Sequence, residues 1–251
     1  MSENEKISLD QMIGSSEEPL VAAMHEGVLL LIINRPQARN ALTLDMRKDF
    51  ARLVERAEAD AAVKAVIVIG AKGIFSAGAD IKEVLQGPAR IFRPHPGEVA
   101  RSLTKPIIAA VDGVCVTGAL ELALSCNFVI ASDRSRFADT HAKVGLFPGW
   151  GQNALLASAI GVRRARQMSL TGEFIDARTA LTWGLVNELT TPENLLPRAL
   201  DICRQIGAAN PRSVHMQLEL YARHDGAPFD VAIAAENALA QKWRSLSVAR
   251  E

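Results

Sequence analysis

The sequence predicts an α/β fold, a mainly parallel sheet followed by a helical C-terminal region. Two observations carry this. Through residues 20–131, short apolar runs closed by glycine or Asp-Gly alternate with helix-like stretches, the pattern of βαβ units. After Gln152 the spacing of apolar residues becomes helical almost throughout. The chain has 251 residues, 49% hydrophobic and 22% charged, with eleven prolines, which suits one sizeable globular core with a helical appendage.

Taken in order, residues 1–19 read as a polar, mobile leader. Residues 21–24 and 28–34 are strand-like and flank His25-Glu26-Gly27, a hairpin signal. Arg35-Pro36 stops the second strand, and residues 37–40 form a polar loop. Thr43 is a suitable N-cap for a helix that places Met46, Phe50, Leu53, Val54 and Ala57 on one face. Residues 63–69 read as a buried strand ending at Gly70, and the turn-rich segment 73–80 leads into a short helix over 81–85. Residues 86–97, with three prolines, read as an irregular surface segment. Residues 107–111 form another strand, closed by Asp112-Gly113. Gly118 opens a short apolar helix over 119–124, and 127–131 is a further strand. Helices are then expected over 154–159, 162–170, 176–183 with Gly184 as stop, 195–207, 211–221 and 229–243.

Composition excludes several classes of function. The formal net charge is zero, so there is no basic excess for nucleic-acid binding, and a neutral surface favours self-association. The longest apolar run, residues 28–33, is far short of a membrane span, and the N-terminus lacks a signal-peptide pattern, so cytoplasmic residence is expected. Cys115, Cys126 and Cys203 sit in apolar contexts and are expected to be buried thiols. No HxxxH or CxxC spacing supports a metal. Gly149 to Ala154 matches a dinucleotide fingerprint, but no apolar strand precedes it, so the match is weak.

Two glycine-marked loops follow strands: residues 76–80 and residues 116–121. Ligands of open α/β sheets bind at the carboxyl ends of strands, and glycine lets backbone amides approach them. The Gly118 amide opens a helix, so it lacks an intrahelical partner and sits at the positive end of the dipole. Glu121 projects from the same face one turn on, a proton-transfer group beside an anion site. The plainer alternative is a pair of turns, with Glu121 as a dipole partner.

The sequence resembles the enoyl-CoA hydratase/isomerase (crotonase) family over nearly its whole length. The resemblance rests on Asn34-Arg35-Pro36, Asn40-Ala41-Leu42, Phe75 to Glu83, Lys105 to Gly113, Gly118 to Leu122, Gly145 to Gly149 and Leu170-Thr171-Gly172, in that order and spacing. It implies a spiral of ββα units in place of a doubly wound sheet, with C-terminal helices that build trimers or dimers of trimers. The corresponding division is a leader over 1–19, a spiral core over 20–192 and a helical region over 193–251. It further implies hydration of trans-2-enoyl-CoA, as in fatty-acid β-oxidation, with coenzyme A as part of the substrate and no separate cofactor or metal. The oxyanion hole falls to the amides of Ala79 and Gly118. Arg39 and Lys82 become candidates for the 3′-phosphate-ADP end, with the pantetheine along the backbone of Ala77, Asp80, Ile81 and Lys82.

Hydratases of this family use two glutamates. The first corresponds to Glu121; counting between Phe137 and Gly145 puts His141 where the second belongs. Histidine also shuttles protons, with an ordinary pKa of about 6.5. The Glu121/His141 pair therefore remains compatible with hydration. The departure equally fits a non-catalytic acyl-CoA binder, or an isomerase or decarboxylase using the same hole. Asp139 is a candidate to orient His141, although a strand at this point is expected to direct the two apart. Trp150, beside Gly149, stands where small residues are usual, and would narrow the acyl pocket, clamp a flat acyl group or fill core. His95, in the proline-rich segment, is expected to face solvent.

Overall fold

The structure is a computed structural model that describes residues 8–86, 93–224, 226–228, 230, 231 and 233–239. The chain divides into two compact units, one ending at Arg204 and one beginning at Gln205. Within the stretch expected to be a leader, Leu9–Ile13 form α1, opened by a capping box between Ser8 and Gln11; residues 1–7 lie outside the described residues.

The expected hairpin joins β1 (Leu20–His25) to β2 (Val28–Ile33). Its turn residues Glu26 (φ 46°) and Gly27 (φ 81°) both adopt the left-handed region, as a type I′ turn requires. α2 (Leu44–Ala59) begins at Thr43, whose hydroxyl accepts from the Met46 amide at 3.2 Å. Met46, Phe50, Val54 and Ala57 of this helix are buried, the face its sequence spacing marks.

The chain then repeats one pattern: a strand in a large sheet, a short extended segment in a second layer, and a helix. β3 (Ala65–Gly70) is followed by a segment in which Ser76 bridges Cys115 and Ala79 bridges Leu42, and then by α3 (Ile81–Gln86). After α4 (Pro96–Ser102), β4 (Ile107–Val111) is followed by β5 (Val114–Val116) and α5 (Gly118–Ser125). β6 (Phe128–Ser132) is followed by β7 (Arg136–Ala138). α6 (Gln152–Ile160) and α7 (Val162–Thr171) come next. They are followed by β8 (Ile175–Asp176), α8 (Ala177–Trp183), β9 (Glu188–Thr190) and α9 (Pro192–Ala208). The large sheet runs β1-β2-β3-β4-β6-β9, parallel from β2 onward, and the second layer runs β5-β7-β8. This is the ββα spiral that the resemblance implies. The second unit contains α10 (Pro211–His224) and further helical residues between 230 and 239; the remainder of the helix expected over 229–243 lies outside the described residues.

β3 and β4 are buried at every position, because helices or the second layer cover both faces. Two expectations are corrected. The segment 86–97 is not irregular to its end: Pro96 and Gly97 begin α4 and are buried; residues 87–92 lie outside the described residues. His95 does not face solvent. It is 3% exposed and caps α4, its Nδ1 accepting from the Glu98 amide at 3.0 Å. The three cysteines are buried and unbridged.

Candidate active site

Two backbone amides converge where the loop before α3 meets the start of α5. The Ser76 hydroxyl donates to the Asn40 carbonyl at 2.7 Å and accepts from the Gly78 amide at 3.0 Å. The Gly78 carbonyl accepts from Leu42 at 2.8 Å, and the Asp80 amide donates to Leu42 at 2.9 Å. These bonds fix the residues on either side of Ala79. Among the described residues nothing accepts from the Ala79 amide or from that of Gly118. Both glycines here are dictated by crowding. Gly78 has φ 87°, and a Cβ on it would lie 2.7 Å from the Gly118 nitrogen. A Cβ on Gly118 would lie 3.2 Å from the Ala79 nitrogen and 3.0 Å from the Trp150 ring. Thr117 enters the helix at φ 57°, ψ −123°, a conformation costing a β-branched residue ~1–3 kcal/mol. Its hydroxyl bonds that of Thr140, and its amide donates to Ala138 at 3.2 Å. The segment carrying His141 is thereby tied to the start of α5.

Glu121 is 1% exposed. Its Oε1 accepts from the amides of Trp150 at 2.6 Å and Gln152 at 3.1 Å, so the start of α6 holds the carboxylate in one orientation. Its Oε2 lies 3.4 Å from His141 Nε2. The other ring nitrogen, Nδ1, is 2.6 Å from Asp139 Oδ1, which also accepts from the His141 amide at 3.2 Å. The expected divergence of Asp139 and His141 does not hold, since residues two apart along a strand share a face in any case. The strand ends at Ala138, and Asp139 instead closes a turn on the residue two ahead. Burial alone would lower the His141 pKa, but its bonds to Asp139 and Glu121 outweigh that and raise it to about 9. Burial likewise works to raise the Asp139 carboxyl, and the His141 and Ser169 hydrogen bonds overcome it, leaving it below the ordinary range. The raised pKa favours the imidazolium form of His141, which lies between two carboxyl groups.

A cleft of about 80 Å³ opens onto these groups, lined among others by Ala79, Gly118, Glu121, His141, Gly149 and Trp150. Half-buried Trp150 is the wall nearest the amide pair. His95 stacks on its ring at 5.8 Å, and the Arg47 guanidinium lies 5.9 Å from its centroid. Arg47 also lines the cleft and is 2% exposed. Sequence reasoning missed it, because a lone arginine beside Met46 on an amphipathic helix carries no signal of facing inward.

The remaining predicted residues sit along the loop before α3 and at its edge. Arg39 and Lys82 are exposed, and the Arg39 carbonyl accepts from the Ala77 amide at 3.0 Å. Ile81 is 39% exposed. The Asp80 carboxylate is engaged by Arg35 at 2.7 Å and by the Lys82 amide at 3.1 Å. Burial would raise its pKa, but the Arg35 bond prevails and holds it below the usual range. Gly149 is exposed at the mouth. The structure thus gathers Ala79, Gly118, Glu121, His141, Gly149 and Trp150 at one cleft; Arg39, Ala77, Asp80, Ile81 and Lys82 do not line it.

A family model described as enoyl-CoA hydratase/isomerase matches residues 23–245. A probable enoyl-CoA hydratase of Rhizobium meliloti is 35% identical over 213 residues, covering 83% of this chain and 82% of that protein. A short-chain-enoyl-CoA hydratase of Clostridium acetobutylicum is 36% identical over 217 residues, covering 84% and 83%. Among solved structures, an enoyl-CoA hydratase from Mycobacterium tuberculosis is 40% identical with a TM-score of 0.78, covering 91% of this chain and 100% of the other. One from Mycobacterium marinum is 29% identical with a TM-score of 0.85, covering 93% and 94%.

Proposed function

The chain belongs to the enoyl-CoA hydratase/isomerase family, and from that premise we propose that it is a hydratase-like lyase converting trans-2-enoyl-CoA and water to 3-hydroxyacyl-CoA. The observation that carries this reading is the convergence of two acceptor-free amides, Ala79 and Gly118, on the Glu121–His141 pair. The thioester oxygen sits between the amides. When oxygen from water bonds to Cβ, electrons of the double bond move toward that oxygen as an enolate, and the two donors stabilise the developing charge; one donor typically contributes about 3–4 kcal/mol. One of Glu121 and His141 takes a proton from water while the other delivers one to Cα. The reaction as written needs no redox cofactor or metal, and coenzyme A enters as part of the substrate.

Exposed Arg39 and Lys82 suit the phosphate end of coenzyme A, with the pantetheine along the backbone of residues 77–82. The small cleft and its Trp150 wall favour a short acyl group. For the assembly we favour a homotrimer or a dimer of trimers, read out by native mass. No helix among the described residues is long and apolar enough to cross a membrane, and we place the protein in the cytoplasm.

The test is Glu121→Gln assayed with crotonyl-CoA. Hydration should fall by about two orders of magnitude or more, with acyl-CoA affinity changed little. Undiminished hydration in this variant would sink the proposal. Should the wild type leave enoyl-CoA unhydrated, its action on 3-enoyl- and malonyl-type thioesters separates an isomerase or decarboxylase from a binder.

A further inference from the structure

We infer that Asp139 is a positioning residue for the reaction proposed above: its carboxylate commits Nδ1 of His141 and thereby presents Nε2, carrying its proton, to Glu121 and the cleft. The catalytic consequence rests on the hydratase reading; the positioning itself does not. Asp139 is 2% exposed, and its Oδ1 accepts from both the amide and Nδ1 of His141. The Ser169 hydroxyl, from α7, donates to the same carboxylate. With Nδ1 occupied, the ring has one nitrogen left, and it lies 3.4 Å from Glu121.

Asp139 and His141 form a matched pair. Placing at 141 the glutamate that the family pattern leads one to expect would set a second buried carboxyl group against Asp139, where like charges oppose ionisation. With histidine at 141 the same aspartate becomes a favourable partner. Among the described residues, other charged or polar groups lie around the ring. Glu121 faces it from α5, Ser169 from α7 bonds its partner Asp139, Arg47 from α2 lines the same cleft, and exposed Lys143 follows in its own turn. His95 from α4 lies behind Trp150.

The arrangement assigns directions to the protons. The Nε2–H bond breaks as a C–H bond forms at Cα, leaving neutral His141. Glu121 takes the proton released when water oxygen bonds to Cβ. That proton then crosses from Oε2 to Nε2, restoring both groups, with the net addition of one water and no outside reactant.

Asp139→Asn keeps the size and one acceptor while removing the charge. The kcat on crotonyl-CoA should fall about ten- to a hundredfold with KM little changed, and the alkaline limb of the kcat–pH profile should move to lower pH. A purely structural Asp139 would leave that limb in place. Epistasis gives a second reading: Asp139→Asn should lower activity in the wild type and raise it in the His141→Glu protein. Loss in both backgrounds counts against the inference. NMR titration of the His141 ring, identified by its loss in His141→Glu, needs no turnover. It should show titration well above 6.5 in the wild type and a downward shift in Asp139→Asn. With that shift but no hydration in the wild type, the positioning stands and the hydratase reading falls. An imidazole titrating at its ordinary value in the folded wild type overturns the inference even if the variant does not fold.

Discussion

His141 and Asp139 respond to pH in opposite senses, and both responses fall where the protein can be measured. The folded His141 pKa of about 9 lies above its unfolded value of about 6.5. Its favourable pairing is therefore fully present below pH 6.5 and is lost as pH rises through 9. Asp139 is depressed, so its share is present above the ordinary carboxylate range and is lost as pH falls through its folded value. Urea unfolding of the wild type should thus lose about 2–3 kcal/mol between pH 6.5 and 9, and His141→Gln should flatten that slope. An equal slope in the variant would show that the charge on His141 contributes nothing to stability. Legibility at this scale was uneven. Glu121 and His141 could be found because each stands at a fixed distance from a glycine or a phenylalanine in the motif. Asp139 was visible as a neighbour, but its role depends on the turn it closes on the His141 amide after β7, and no periodicity marks the end of a three-residue strand. Arg47 left no trace, since its burial arises from packing with parts distant in the chain, α4 and β1 lying against α2.

Among elements, length decided what could be read. α2, β2 and β3 span enough residues for a face or a continuous apolar run to show, and Thr43 marked the start of α2 correctly. β5, β7, β8 and β9 have two or three residues each, too few for alternation, and the second layer went unread until the resemblance implied it. His95 was misjudged for a related reason: its partner is the backbone of a helix that begins one residue later, within a proline-rich stretch. The meeting of the residue 76–80 loop with α5 is the element-scale feature on which the proposed reaction depends. Adding one methyl at Gly78 would put a carbon 2.7 Å from the Gly118 nitrogen and force a residue with φ 87° to carry a side chain. Gly78→Ala should therefore spread the two amides and cut kcat by about a hundredfold or more, while circular dichroism retains the folded spectrum. A folded variant with wild-type kcat would show that the amides do not act as a pair.

At the scale of the molecule, the cleft is a product of the spiral rather than of any one segment. Arg47 comes from α2, Ala79 from the loop before α3, Gly118 and Glu121 from α5, His141 from the turn after β7, and Trp150 from the approach to α6. Trp150 connects several of these parts. Its amide orients Glu121, its carbonyl accepts from Arg101 at 3.2 Å, its ring lies against Gly118, and His95 stacks on it. Three uses for Trp150 remain open from the sequence alone, and its place on the cleft wall, only half-buried, favours pocket definition over core filling. A ring so fixed should set acyl chain length, because shortening it opens space without disturbing the backbone amide on Glu121. Trp150→Ala and Trp150→Leu should each raise the ratio of kcat/KM for 2-octenoyl-CoA over crotonyl-CoA by about tenfold or more, the range expected when a hydrophobic pocket gains a few methylenes of room. If the ratio stays constant while both rates fall together, the ring supports the catalytic groups and does not measure the substrate. If it rises, the ring measures the substrate, and the chain-length limit of the enzyme is set by a residue held by contacts that begin as far away as α2 and α4.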